Sequence, residues 1–201
     1  MLFNLLTSLI ETFSFLNVFK YITFRTGVAL MTSLVTVFLI GGPLIKIFAT
    51  QHITGPIRQD GPIDHIVKKS GTPTMGGLII LIGILAGTLL WSDLKNIYIW
   101  TLIFITLGLG LLGFLDDLLK IRYENSRGLN SKLKFFGQLI IAAISLYILV
   151  EYSGHEYLYK IYFPFFKNLI FDLGLLFIPF GLFVIIGSSN AVNLTDGLDG
   201  L

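Results

Sequence analysis

Long apolar stretches alternate along the chain with short polar ones, and the apolar stretches have the length of bilayer-crossing helices. Five qualify or nearly do: 26–45, 72–92, 97–115, 135–150 and 173–189. A span needs roughly 20 apolar residues, because about 30 Å of hydrocarbon is crossed at about 1.5 Å per residue. The fourth stretch is short and borrows Leu133 and Lys134, whose ammonium can snorkel to the interface, so the span reads as 133–150. Backbone groups find no water partner in hydrocarbon, which makes helices the expected form. The pattern predicts an all-α fold, a polytopic transmembrane helical bundle. It forms one integral-membrane domain over 1–201, with five spans present and the start of a sixth. The first residues, MLFNLLTSLIETFSFLNVF, lack a basic leader and a small-residue cleavage site, and Glu11 interrupts them. They read as a retained entry segment that lies along the interface or extends the first span.

Counting crossings places loop 50–71, loop 116–134 and the tail from Asn190 on one face. That face carries Arg58, Lys68, Lys69, Lys120, Arg122, Arg127, Lys132 and Lys134. The other face, with the N-terminal segment, carries Lys20, Arg25, Lys95, Lys160 and Lys167. Lysine and arginine concentrate on the cytoplasmic side of membrane proteins, so the first face is expected to be cytoplasmic. Segment 151–168 is rich in tyrosine and phenylalanine, which suits a belt at headgroup level better than a ligand box.

Composition supports the membrane reading. The 201 residues are 54% hydrophobic and 13% charged, with a mean hydropathy of +0.83, whereas soluble domains carry about 25% charged residues. Cysteine is absent, which rules out a disulfide framework or a thiolate metal site. No internal repeat, low-complexity tract or soluble domain is visible.

Three polar stretches on the basic face carry candidate chemistry. The first, QHITGPIRQDGPIDHIVKKSGTPTMGG (51–77), is broken by Gly55-Pro56, Gly61-Pro62 and Thr72-Pro73 into a stiff irregular loop. Its cations and hydroxyls suit an anionic ligand, but no Gly-Lys-Ser/Thr follows the glycines, so it is not a Walker loop. A basic juxtamembrane loop attracted to anionic lipid is the plainer reading. Gly76-Gly77 is expected to let helices pack closely rather than to touch phosphate.

The second stretch, FLDDLLKIRYENSRGLNSKLK (114–134), sets Asp116 and Asp117 at the C-terminal end of the third predicted span. The helix dipole disfavours negative charge there by about 0.3–1 kcal/mol per group, so capping does not explain the pair. Lys120, four residues after Asp116, offsets part of the cost. Neighbouring helical positions point about 100° apart, which favours two jobs over one shared clamp. One carboxylate would serve a metal and the other a proton or a second ligand. Mg²⁺ takes one or two carboxylates and completes its shell with water and substrate phosphates. An ordinary charged stop to a span is the alternative.

The third stretch is SSNAVNLTDGLDGL (188–201). Asn190, Asn193, Asp196 and Asp199 recur every third residue, a slowly drifting polar stripe if helical, while two Asp-Gly pairs argue for turns. The plain alternative is a polar turn leading into a sixth span. The alternating ligands of an EF-hand are missing. On a cytoplasmic face the Asn193-Leu194-Thr195 glycosylation sequon is accidental.

Taken together, GPIRQDGPIDH (55–65), GTPTMGG (71–77), FLDD (114–117) and NAVNLTDGLDGL (190–201), with FRTGVA (24–29), resemble the bacterial phospho-N-acetylmuramoyl-pentapeptide transferases. These belong to the polyprenyl-phosphate sugar-1-phosphate transferase superfamily. The resemblance covers nearly the whole chain in the family's order. It implies transfer of phospho-MurNAc-pentapeptide from UDP-MurNAc-pentapeptide to undecaprenyl phosphate, giving lipid I and UMP in peptidoglycan synthesis. It also implies Mg²⁺ dependence, a multi-pass position in the bacterial inner membrane with the site on the cytoplasmic face, and a homodimer as a partner state. Carried onto this chain, it makes Asp116 and Asp117 the catalytic pair, both near the metal. One of them would act as base on the lipid phosphate. It places Asn193, Asp196 and Asp199 in the nucleotide-sugar pocket, with Lys69, Thr74 and Lys132 near it and Lys68 as the fallback for Lys69.

The chemistry agrees with these residue types. A pyrophosphate and a phosphate monoester repel, so phosphoryl transfer asks the protein for positioning and charge neutralisation. The monoester's last proton has a pKa of about 6, which an ionised aspartate can relieve. Members of the family have more spans, a later loop with a third metal-assigned aspartate and a histidine-rich loop, so residues 1–201 alone are expected to be inactive. Two other readings compete. A sister enzyme would transfer GlcNAc-1-phosphate with the same aspartates. An ion-coupled transporter would use carboxylates as a relay, but a relay needs ionisable groups at mid-membrane and the span interiors are nearly charge-free. A passive scaffold leaves the polar loops unexplained.

Overall fold

The computed structural model describes residues 2–51, 75–123, 128–154, 156–163 and 165–196. Helix α1 (Leu2–Ser8) and a 3₁₀ turn (Ser14–Lys20) precede α2 (Ile22–Thr50), so the entry segment is separate from the first span. Then come α3 (Gly77–Trp91), α4 (Ile97–Arg122) and α5 (Ser131–Tyr152). Strands β1 (Lys160–Phe163) and β2 (Phe166–Asp172) form an antiparallel hairpin, and α6 (Phe177–Asp196) ends the described chain. Four helices have the length and composition of membrane spans, and α3, with 15 residues, is shorter. The predicted helical bundle is therefore present. The hairpin occupies much of the aromatic segment, where β-branched and aromatic side chains favour extended backbone.

Helices adjacent in sequence pack side by side, from α2 through α6. Small residues set the approach. A Cβ on Gly87 would meet Ser33 Oγ and, at 2.8 Å, the carbonyl of Ala29, and one on Gly83 would meet Val37 at 2.7 Å. These glycines of α3, not Gly76 and Gly77, let it close on α2. Among the described residues nothing lies within 4 Å of a Cβ built on either Gly76 or Gly77. Helix α5 packs between α4 and α6, burying Gln138, Ala142, Ser145 and Leu146, while many large apolar side chains face outward, as a lipid-facing bundle requires.

At the end of the bundle where α2 and α4 begin, Phe19 stacks on Trp91 at 5.6 Å between ring centroids and Trp91 Nε1 donates to Thr32 Oγ1. The described parts of the polar stretches lie at the other end, around the start of α3, the last turns of α4, the first turns of α5 and the end of α6.

Candidate functional site

Asp116 and Asp117 do not end their helix. Helix α4 runs on to Arg122, with Lys120 and Arg122 in the last turn, where cations complement the dipole. The aspartates sit more than a turn inside, so the expected dipole conflict falls away.

The two carboxylates have different surroundings. Asp116 is buried, 6% exposed. Its Oδ2 lies 2.7 Å from Lys120 Nζ and 3.8 Å from Lys134 Nζ, and its Oδ1 accepts the backbone N–H of Leu129 at 2.7 Å. Asp117 is more open, with 35% of its side chain exposed, and its Oδ1 accepts from Lys120 at 3.1 Å. Lys120 thus bridges both carboxylates. The turn carrying Leu129 depends on Gly128, whose φ of +56° is a left-handed conformation, and a Cβ there would collide with Asp116 Oδ1. Asn130 then caps α5 by accepting the N–H of Lys132 at 3.1 Å, and this brings Lys134 round to Asp116.

Asp117 also lines an apolar cleft of about 290 Å³ between α3 and α4. Met75, Leu78 and Leu81 form one wall, and Gly110, Gly113 and Phe114 the other. Met75 holds a φ of +69°, rare for a residue with a Cβ, at the edge of this cleft. Gly77, expected to be a packing glycine, lines the cleft instead.

As far as Asp196, the third polar stretch continues the last span as helix. Asn190, Asn193 and Asp196 all belong to α6, and the two Asp-Gly pairs that argued for turns run into residues outside the described ones. Asn190 is bonded to α5, its Nδ2 donating to Gln138 Oε1 at 2.8 Å. Asn193 is exposed. Lys132 is also exposed, in the first turn of α5, and it is Lys134, not Lys132, that reaches Asp116. Lys68, Lys69, Thr74 and Asp199 lie outside the described residues.

Sequence reasoning paired Lys120 with Asp116 but missed its bridge to Asp117. It treated Lys134 as a snorkelling cation, although a lysine four residues past an Asn cap at the start of the next helix was a usable signal. The Leu129 amide had none, because backbone donors leave no trace in composition.

Among the described residues no group of three or more His, Cys, Asp or Glu could hold a metal ion. The aspartate pair offers at most two carboxylates, with Asp117 open to the cleft. That donor set fits Mg²⁺ completed by a ligand's phosphates, not a closed protein cage.

Residues 99–201 match the profile of glycosyl transferase family 4. Residues 69–81 match phospho-N-acetylmuramoyl-pentapeptide-transferase signature 1. Over its whole length the chain is 58% identical to a phospho-N-acetylmuramoyl-pentapeptide-transferase of Pelagibacter ubique, of which it covers 56%. It is 49% identical to the protein of the same name from Thermodesulfovibrio yellowstonii, covering 55%. The chain spans about half the length of these curated relatives.

Proposed function

The chain belongs to glycosyl transferase family 4, and from that premise we propose that it builds part of the site of a phospho-N-acetylmuramoyl-pentapeptide transferase. The whole protein would move phospho-MurNAc-pentapeptide from its UDP carrier to undecaprenyl phosphate, releasing UMP and forming lipid I. The observation that carries this reading joins two parts of the chain. Signature 1 runs to residue 81, and its residues Met75, Gly77, Leu78, Ile80 and Leu81 form one wall of the cleft that Asp117 completes from α4.

The site would stand on the cytoplasmic face of the bacterial inner membrane; the lysine and arginine bias supports the choice of face. The apolar cleft walls suit a prenyl chain, with Asp117 at the polar boundary for its phosphate or for the ion. Asp117 is the carboxylate presented to the ligand. Asp116 spends its oxygens on Lys120, Lys134 and the Leu129 amide, and so holds Asp117 and the following turn in place. Bound Mg²⁺ would supply charge neutralisation across the pyrophosphate. Lys132, Lys69, Thr74, Asn193, Asp196 and Asp199 would surround the nucleotide sugar, and a homodimer is the proposed assembly.

The test is the whole protein reconstituted with undecaprenyl phosphate and Mg²⁺. Release of UMP from UDP-MurNAc-pentapeptide, but not from UDP-GlcNAc, is the expected result. Release from UDP-GlcNAc alone would replace this reading with the sister GlcNAc-1-phosphate transferase.

A further inference from the structure

Gln138 is a polar side chain buried in an apolar helix, 3% exposed, and the transfer chemistry makes no use of it. Its amide is nonetheless engaged on both sides. Oε1 accepts from Asn190 Nδ2 at 2.8 Å, and Nε2 donates to Ser189 Oγ at 3.3 Å. Asn190 Nδ2 also donates to the carbonyl of Ile186 at 2.9 Å, which holds its side chain against its own helix. One turn before Gln138, on the same face of α5, stands Lys134, 3.8 Å from Asp116. A single helix face thus reaches the aspartate helix through Lys134 and the asparagine helix through Gln138.

Apolar helix faces in lipid can rotate or slide past one another at small cost, because tail and side chain are alike in polarity. An amide bonded to a second amide has one register, since any rotation leaves buried donors and acceptors unpaired. Asn193 and Asp196 follow Asn190 by three and six residues on the same continuous helix, so fixing the azimuth of Asn190 fixes theirs.

We infer that Gln138 is a positioning residue: it locks the rotation of α6 on α5, and α5 thereby sets the Asn193–Asp196 segment against the Asp116–Asp117 pair. What that segment binds rests on the function proposed above; the helix clamp does not.

The chain has no cysteine, so spin labels can be placed at Leu133→Cys on α5 and Val192→Cys on α6, both exposed positions. Double electron–electron resonance in lipid nanodiscs is expected to give one narrow distance in the unaltered chain. Gln138→Met, close in size and apolar, is expected to broaden or displace it. The reciprocal exchange, Gln138→Asn with Asn190→Gln, is expected to restore it. Should Gln138→Met fail to insert, Asn190→Leu opens the same contact from the other helix. A distance unchanged in the apolar variant overturns the inference.

In the whole protein, Gln138→Met is expected to raise KM for the UDP-linked substrate at least fivefold while lowering kcat less, with the exchange returning KM. A displaced distance with unchanged KM overturns the link to the site. No transfer by the unaltered whole protein defeats the proposed function and leaves the clamp to the distance measurement.

Discussion

The backbone amide of Leu129 donates a 2.7 Å hydrogen bond to Oδ1 of Asp116, thirteen residues earlier in the chain. The carboxylate thereby joins the end of α4 to the turn that starts α5, while the neighbouring Asp117 faces the cleft. Removing charge from the two aspartates should therefore have different consequences. Asp116→Asn keeps an oxygen for Leu129 but leaves Lys134 without its carboxylate and Lys120 with Asp117 alone. A loss of about 1–3 kcal/mol is expected, as for other buried charged groups left unpaired. Asp117→Asn removes a half-exposed partner of Lys120, and such pairs are worth about 0–1 kcal/mol. Thermal unfolding of both variants in one detergent checks the contrast, and equal destabilisation would contradict it.

Gly128 meets two demands that no other residue satisfies together. Its φ of +56° costs about 1–2 kcal/mol for a residue with a Cβ. That Cβ would also collide with Asp116 Oδ1 and come within 2.8 Å of Lys120 Cε. Lysine can swing aside, but Asp116 is held from three directions. Gly128→Ala is expected to break the Leu129 bond, read as faster hydrogen exchange at the Leu129 amide. An unchanged rate would show that the turn does not depend on glycine.

Much of this arrangement was legible in the sequence, and the remainder was not for identifiable reasons. Hydropathy marks spans because lipid imposes a length, and α2, α4, α5 and α6 have the length and composition of spans. It does not mark helix ends, because a helix leaving the membrane continues through polar residues. That is why α4 passes Asp117 to reach Arg122 and α6 passes Ser189 to reach Asp196. Asp116 and Asp117 stood out as charges without a capping role. Their inequality did not, since it depends on Lys134 and Leu129, which arrive from another element. Gly83 and Gly87 were hidden among the many glycines of an apolar span, where only the partner helix reveals which ones are crowded.

Those two glycines carry the contact between α2 and α3. A Cβ at Gly87 meets the Ala29 carbonyl at 2.8 Å, and backbone cannot rotate away as a side chain can. Gly87→Ala should therefore separate the helices, at an overpacking cost of about 1–3 kcal/mol. Gly27→Ala, inside α2 with nothing within 4 Å among the described residues, is the control. It should stabilise by about 0.5–1 kcal/mol through helix propensity alone. Trp91, bonded to Thr32 across this contact, reports both through its fluorescence during unfolding in a Trp100→Phe background. A loss of stability in the control matching that of Gly87→Ala would remove close packing as the cause.

Lys120 presents the sharpest choice in the site. Its ammonium lies 2.7 Å from Asp116 Oδ2 and 3.1 Å from Asp117 Oδ1, so it already offsets part of the negative charge that a divalent ion would seek. An ion approaching Asp117 must displace or share that contact. With both side chains about a third exposed, the Lys120–Asp117 pair is worth about 1 kcal/mol. Lys120→Met keeps the length and apolar stem of the side chain and removes the competing charge. Since about 1.4 kcal/mol corresponds to tenfold in affinity, Mn²⁺ should bind the variant up to about fivefold more tightly. Electron paramagnetic resonance of free Mn²⁺ measures this without requiring turnover, and Asp117→Asn in the same background should abolish the gain. Weaker Mn²⁺ binding in Lys120→Met would point the other way. Lysine would then be holding the carboxylates in a competent geometry, and removing its charge would cost more in organisation than it returns in attraction.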